Sequence, residues 1–137
     1  MSTKHTEIRL LPPTFEPWQG NNSDRSIAVL MSGGVDSSVT AMLLKEAGWQ
    51  VLGITMKVPL AQDCNHPGSC CGAEAGFVCQ EIDIPHYFLD VQESFQQLII
   101  KPFRQAYMQG RTPSPCVDCN VFLKLGLVWD LLKDKFG

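Results

Sequence analysis

The stretch VLMSGGVDSSVTAMLL, Val29 to Leu44, passes from an apolar segment through two adjacent glycines and three hydroxyls into residues with helical spacing. Upstream, Ser26 to Met31 is apolar at nearly every position, which predicts a short strand buried on both faces. Downstream, Val39, Met42, Leu43 and Ala47 fall near i, i+3, i+4 and i+8. That spacing predicts a helix from about Ser37 to Ala47, with these residues as its apolar side and Gly48 at its end.

A glycine turn placed between a buried strand and a helix leaves the first N–H groups of the helix unpaired. Together with the helix dipole they attract an anion. Gly33 and Gly34 let the backbone approach a phosphate, and Ser32, Ser37 and Ser38 are placed to donate to it. No lysine stands in the turn, so it is not a G-x-x-x-x-G-K-[ST] loop, and G-x-G-x-x-G is absent as well. The plainer alternative is a tight strand-to-helix connection capped by Asp36 or Ser37.

Outward from this stretch the same alternation continues. Trp49 to Met56 and His86 to Val91 read as further strands, with a loop rich in Gly, Pro and Cys from Pro59 to Gly76. Glu93 to Met108 has helical composition, and Pro102 must start, end or kink a helix there. GRTPSPCVDCN, Gly110 to Asn120, reads as irregular because of its two prolines. Phe122, Leu125, Val128, Trp129 and Leu132 repeat at three and four, predicting an amphipathic helix over 122–136 with Phe122 and Trp129 in the core. The fold class expected is α/β, a parallel sheet flanked by helices. Residues 1–25, with Pro12, Pro13, Pro17 and Gly20, read as a flexible leader whose Leu10, Leu11, Phe15 and Trp18 are able to dock, and 26–137 as the domain.

Bulk properties limit the function classes. A chain of 137 residues has room for one ordinary domain, and a formal charge of -3 gives no general attraction to nucleic acid, so RNA binding would need a local basic patch. Six cysteines without a signal-peptide pattern before them suggest reduced thiols and a cytoplasmic location. No apolar run approaches the roughly 20 residues that span a bilayer.

S-G-G-x-D-S-S after a buried strand resembles the pyrophosphate-binding loop (PP-loop) of the N-type ATP pyrophosphatases, which include the NAD and GMP synthetases and the tRNA-thiolating enzymes. A loop that grips the leaving pyrophosphate accounts for the missing lysine. A second constellation narrows the likeness. Cys116 and Cys119 in GRTPSPCVDCN resemble the cysteine loop of the tRNA-specific 2-thiouridylases, the MnmA/TrmU family, and so do GITMKV (Gly53 to Val58), CCGAEA (Cys70 to Ala75), IPHYFLD (Ile84 to Asp90) and CNVFLKLG (Cys119 to Gly126).

The resemblance implies an adenine nucleotide α-hydrolase-like (Rossmann-like) fold, incomplete here, and ATP-dependent adenylation of the wobble uridine C2 oxygen followed by persulfide sulfur transfer. It aligns Leu30, Met31, Ser32, Gly33, Gly34, Val35, Asp36 and Ser37 with the ATP loop, with Asp36 helping to place Mg2+. Met56 aligns with an adenine contact, Ser114, Pro115 and Cys116 with contacts to the target base, and Cys119 with the nucleophile. Cys119 near a helix start is expected to have a lowered thiol pKa. Implied partners are tRNA and a persulfide donor of a sulfur relay. Leu30 and Ser114 depart from the glycine and asparagine usual in the family, and the interval from Cys71 to Ile84 is shorter. The later motifs and second cysteine of the family do not occur, so a truncated chain unable to complete thiolation is expected.

Three alternatives stand beside this reading. One is another adenylating enzyme of the NAD or GMP synthetase type, and one is a nonenzymatic nucleotide-binding remnant. The third concerns the metal. Cys116-x-x-Cys119 is half a zinc site, which would need two ligands from Cys64, Cys70, Cys71, Cys79 or His66; a [4Fe-4S] cluster, held by three cysteines in some thiolating enzymes, would need a third ligand from elsewhere. Cys79 and His86 are expected as a buried small residue and a strand residue. Among Lys57, Lys101, Arg104, Arg111 and Lys124, Arg111 is the favoured RNA contact.

Overall fold

The apolar run before the glycines is a strand of a four-stranded sheet with the order β1-β4-β3-β2: β1 (Arg9–Pro13), β2 (Ser26–Leu30), β3 (Gln50–Lys57) and β4 (His86–Asp90). The computed structural model describes residues 7–20, 25–59 and 73–137. Parallel pairing runs from Ser26↔Gln50 to Leu30↔Ile54 between β2 and β3, and from Gly53↔His86 to Lys57↔Asp90 between β3 and β4. Five successive residues of β3, Val51 to Thr55, are buried, as suits an interior strand of a parallel sheet. Helix α1 (Val35–Glu46) joins β2 to β3 and packs on both, and α2 (Ala73–Glu81) packs on β3 and β4.

The chain divides into two units, Leu10–Asp90 and Met1–Arg9 with Val91–Gly137. In the first, Val29, Met31, Ala41, Val51, Ala75, Cys79 and Ile84 form the core, with Phe15, Leu44 and Trp49 packed against it. Cys79 is therefore the small buried residue expected. Part of the stretch read as a flexible leader is built into this unit: Arg9–Pro13 is a strand, Thr14 N–H donates to the His86 carbonyl at 2.9 Å, and Trp18 N–H donates to the Tyr87 hydroxyl at 2.8 Å. Edge strands tolerate the prolines that suggested a loose chain.

The apolar side of α1 is not the one the spacing suggests. Ala41 is its buried residue, whereas Val39, Met42 and Leu43 are exposed. The shallow face that touches the sheet is made of small and half-buried side chains, Ala41 and Leu44.

The second unit is helical. Helix α3 (Gln92–Phe95) runs through a π-wound turn, Gln96–Ile100, into α4 (Lys101–Met108). Pro102 stands at the start of α4; it offers no N–H to the α ladder, and the turn before it is widened. The run from Pro115 to Phe136 comprises α5 (Pro115–Asp118), a π-wound segment Cys119–Val128, and α6 (Trp129–Phe136). The reading of Gly110 to Asn120 as wholly irregular is thus corrected, because Pro115 stands in the first turn of α5, where a missing N–H costs nothing.

The winding also corrects the apolar face. Leu123 and Val128, five residues apart, are buried at 0% and 1% exposure, while Phe122, Leu125 and Trp129 are 54%, 71% and 60% exposed. A segment with i→i+5 hydrogen bonding brings residues five apart onto one side, so a pattern counted at three and four selects the wrong face. Among the described residues, no helix is long and apolar enough to cross a membrane.

Candidate functional site

In the sheet unit the turn after β2 is organised by its own hydroxyls. Ser32 N–H and Ser32 Oγ both lie 3.3 Å from Ser37 Oγ, and Gly34 N–H donates to Ser32 Oγ at 3.2 Å. Ser38 Oγ–H donates to the Gly34 carbonyl at 2.7 Å and Thr40 Oγ1–H to that of Asp36 at 2.7 Å. The N-cap of α1 is Gly34, with φ -77° and ψ 171°, rather than Asp36 or Ser37. Glycine has no side chain to cap with, so the N–H groups of the first turn are left for another partner.

Gly33 is held at φ 85°, and a Cβ there would come 3.1 Å from Glu74 Cβ and 3.2 Å from Ala75 N at the start of α2. Only glycine meets both conditions without strain. Leu30 ends β2 half out of the core, Met31 is buried, and Ser32, Gly34, Val35 and Asp36 are exposed. Met56 lies half-buried near the carboxyl end of β3, at the same end of the parallel strands as the turn. Ligands of open α/β sheets bind at that end.

The helical unit holds the other predicted residues. Ser114 is the N-cap of α5, with no hydrogen bond from its side chain to the helix, and its carbonyl accepts from Val117 N–H at 3.1 Å. Pro115 is half-buried and Cys116 exposed. Cys119 lies one turn further in and is half-buried, and its thiol is pushed up by burial, with Lys124 pulling it down and Cys116 pushing it up. The expected lowering is therefore corrected: the helix start acts within the first turn, and at Cys119 desolvation outweighs it. Lys124 follows at the five-residue spacing of the π winding. Arg111 is exposed and donates to Gln109 Oε1 at 2.6 Å.

Cys79, Cys116 and Cys119 are free thiols. Among the described residues, no group of three or more His, Cys, Asp or Glu is gathered to hold a metal ion. Two thiols alone do not fit a cluster or a structural zinc. Cys64, His66, Cys70 and Cys71 lie outside the described residues.

Two groups in the sheet unit were not singled out by the sequence as part of a site: Thr55 and Thr14, both hydrogen-bonded to His86. Thr55 lies within GITMKV, a segment noted for the family likeness but with no role read for the threonine itself, and Thr14 stands in a proline-rich stretch that no motif covers.

Residues 25–137 match the family described as the tRNA methyl transferase HUP domain. The chain belongs to that family. It is 43% identical over 122 residues to the tRNA-specific 2-thiouridylase MnmA of Prochlorococcus marinus, covering 87% of this chain and 29% of that protein. It is 46% identical over 114 residues to the MnmA of Thermus thermophilus, covering 74% of this chain and 31% of that one, and 38% identical over 132 residues to MnmA 1 of Fusobacterium nucleatum, covering 94% and 34%. The chain thus spans about a third of the length of these thiouridylases. The resemblance drawn from five motifs and the match of the family agree, and the α/β fold with a parallel sheet is the one expected.

Proposed function

We propose that this chain carries the ATP-binding loop and the first catalytic cysteine of a tRNA uridine 2-sulfurtransferase. The observation that carries the reading is the uncapped start of α1 directly after the parallel strand β2, with Ser32 and Ser37 paired across the turn. Such a site holds an anion through backbone N–H groups and needs no lysine. The thiouridylase names of the relatives and the Cys116–Cys119 spacing favour sulfur transfer over the NAD or GMP synthetase type.

In this reading Leu30 to Ser37 hold the β and γ phosphates of ATP, and Met56 lies against adenine. Asp36, exposed in the first turn of α1, would hold Mg2+, which neutralises phosphate charge when bound. The uridine C2 oxygen attacks the α phosphorus and pyrophosphate leaves. The terminal sulfur of a persulfide, delivered by a donor protein, then bonds to C2 as the C2–O bond breaks and AMP departs. The thiolate of Cys119 attacks the remaining S–S bond, freeing the 2-thiouridine sulfur and leaving a disulfide with the cysteine that carried the persulfide, which a thiol reductant reopens. Ser114, Pro115 and Cys116 position the target base. The raised thiol of Cys119 makes proton removal part of its task, and the Lys124 charge supports the thiolate.

The test is ATP-dependent pyrophosphate release with and without tRNA. Gly33→Ala is expected to lower release about tenfold or more, since a small misplacement of a binding loop is costly. Cys119→Ser is expected to leave release intact. Release that ignores Gly33→Ala would refute the loop assignment.

A further inference from the structure

His86 is fully buried in the sheet unit, and both its nitrogens are engaged. Thr14 Oγ1 lies 2.7 Å from Nδ1 and Thr55 Oγ1 lies 2.7 Å from Nε2. Thr55 Oγ1–H in turn donates to the Met31 carbonyl at 2.8 Å. A hydroxyl has one proton, so Thr55, having given it to Met31, must accept from the ring. The chain of hydrogen bonds therefore has one direction: Thr14 to Nδ1, Nε2–H to Thr55, Thr55 to the Met31 carbonyl. Burial pushes the ring down to about 4, which keeps it neutral and keeps that direction near neutral pH.

Room for the ring is made at Gly53, where a Cβ would meet Cys79 Sγ at 2.6 Å and His86 Cδ2 at 3.3 Å. Phe88 closes the ring edge-on, with centroids 4.8 Å apart.

The far end of the chain is the point that matters. The β2–β3 register ends at Leu30↔Ile54, so Met31 falls opposite Thr55, where main-chain pairing gives way to the turn. Met31 N–H still donates to the Ile54 carbonyl at 2.7 Å, and its own carbonyl is taken by the Thr55 hydroxyl. The next residue is Ser32, whose side chain begins the pairing of the loop.

We propose that His86, acting through Thr55 and the Met31 carbonyl, is a positioning residue for the phosphate loop: it fixes where β2 releases the chain and so where Ser32 and the α1 N–H groups stand. This rests on the reading of that loop as a pyrophosphate site, while the positioning itself is measurable without ligand.

The experiment compares Thr55→Val, Thr55→Ser and His86→Gln with the parent chain. Amide hydrogen exchange is followed at 31–38 and along β2, β3 and β4, and Mg-pyrophosphate binding is measured by calorimetry. Thr55→Val, nearly the same shape without the hydroxyl, is expected to speed exchange at 31–34 and weaken pyrophosphate binding, each by about tenfold, as the loss of one buried hydrogen-bond partner implies. Thr55→Ser is expected to restore both to within about threefold, and His86→Gln, whose amide can still donate toward Thr55, to lie between.

Unchanged exchange at 31–34 in Thr55→Val overturns the proposal. So does an equal rise along all three strands, or a failure of Thr55→Ser to rescue, because either makes the cluster mere support for the fold. If exchange follows the expected pattern but the parent chain binds no pyrophosphate, the positioning stands and the phosphate reading falls.

Discussion

Helices α1 and α5 both begin without a side-chain cap, and they treat their neighbouring reactive groups in opposite ways. At α1 the N-cap is Gly34, and hydroxyls of Ser32 and Ser37 pair across an exposed turn. At α5 the N-cap is Ser114, whose side chain makes no hydrogen bond to the helix, and Cys119 lies a turn further along, half-buried and with its thiol raised. A helix start favours negative charge within its first turn only. In the function proposed above, the first site takes an anion that arrives already charged, and the second holds a thiol that must lose its proton before it acts.

The contrast has a structural origin in the winding of Cys119–Val128, and its sharpest test is packing. If the π register sets which residues are inside, Leu123→Ala should cost about 3 kcal/mol, within the range for a buried leucine, while Leu125→Ala costs under about 0.5 kcal/mol. Denaturant unfolding of the two variants measures the difference. An equal cost at both positions would mean that the three-and-four periodicity does describe the buried face.

That periodicity shows where the sequence was readable and where it was not. Strands β2, β3 and β4 were legible from their apolar runs, and β3 is buried along its length as an interior parallel strand should be; β2, expected to be covered on both faces, instead lies at the sheet edge and buries only Val29. The turn was legible because two adjacent glycines between an apolar run and residues of helical spacing mark a strand-to-helix connection, which is what joins β2 to α1. The face of the last helix was not legible, since the number of residues per turn is set by hydrogen bonding and not by the order of apolar residues. Nor was the inner face of α1, where a small residue, Ala41, is the buried contact and larger apolar residues stay out. Strand β1 was missed because its prolines signal a loop, whereas an edge strand accepts them. The depth of Cys119 followed from the same unseen winding.

The sheet unit offers a second test, one specific in pH. His86 has its ring lowered from about 6.5 to about 4 by burial. The unfolded chain therefore binds a proton at pH values where the folded one does not. Stability from this group is full above pH 6.5, falls as the pH drops toward 4, and changes no further below that. The total is on the order of 3 kcal/mol. In His86→Gln that limb should vanish, so urea midpoints of parent and variant should converge between pH 6.5 and 4. Curves that stay parallel would show that the ring titrates outside this window.

The smallest expected effect bears most directly on the contrast between the two helix starts. The Lys124 charge draws the Cys119 thiol down, against burial and against Cys116. Lys124→Met should raise the thiol further and reduce its thiolate at pH 8, slowing alkylation of Cys119 by iodoacetamide about threefold. Lys124→Arg should keep the rate near the parent's, since the charge remains. Fragment-ion mass spectrometry reads Cys119 apart from Cys116, which lies three residues away on the same peptide. A rate indifferent to Lys124→Met would leave burial alone in control of the thiol, and the two helix starts would then differ by depth and not by charge. A slower rate would make Lys124 the counterpart, in the helical unit, of the backbone N–H groups at α1: each supplies positive charge to one anion, but only at Cys119 must that charge compete with desolvation.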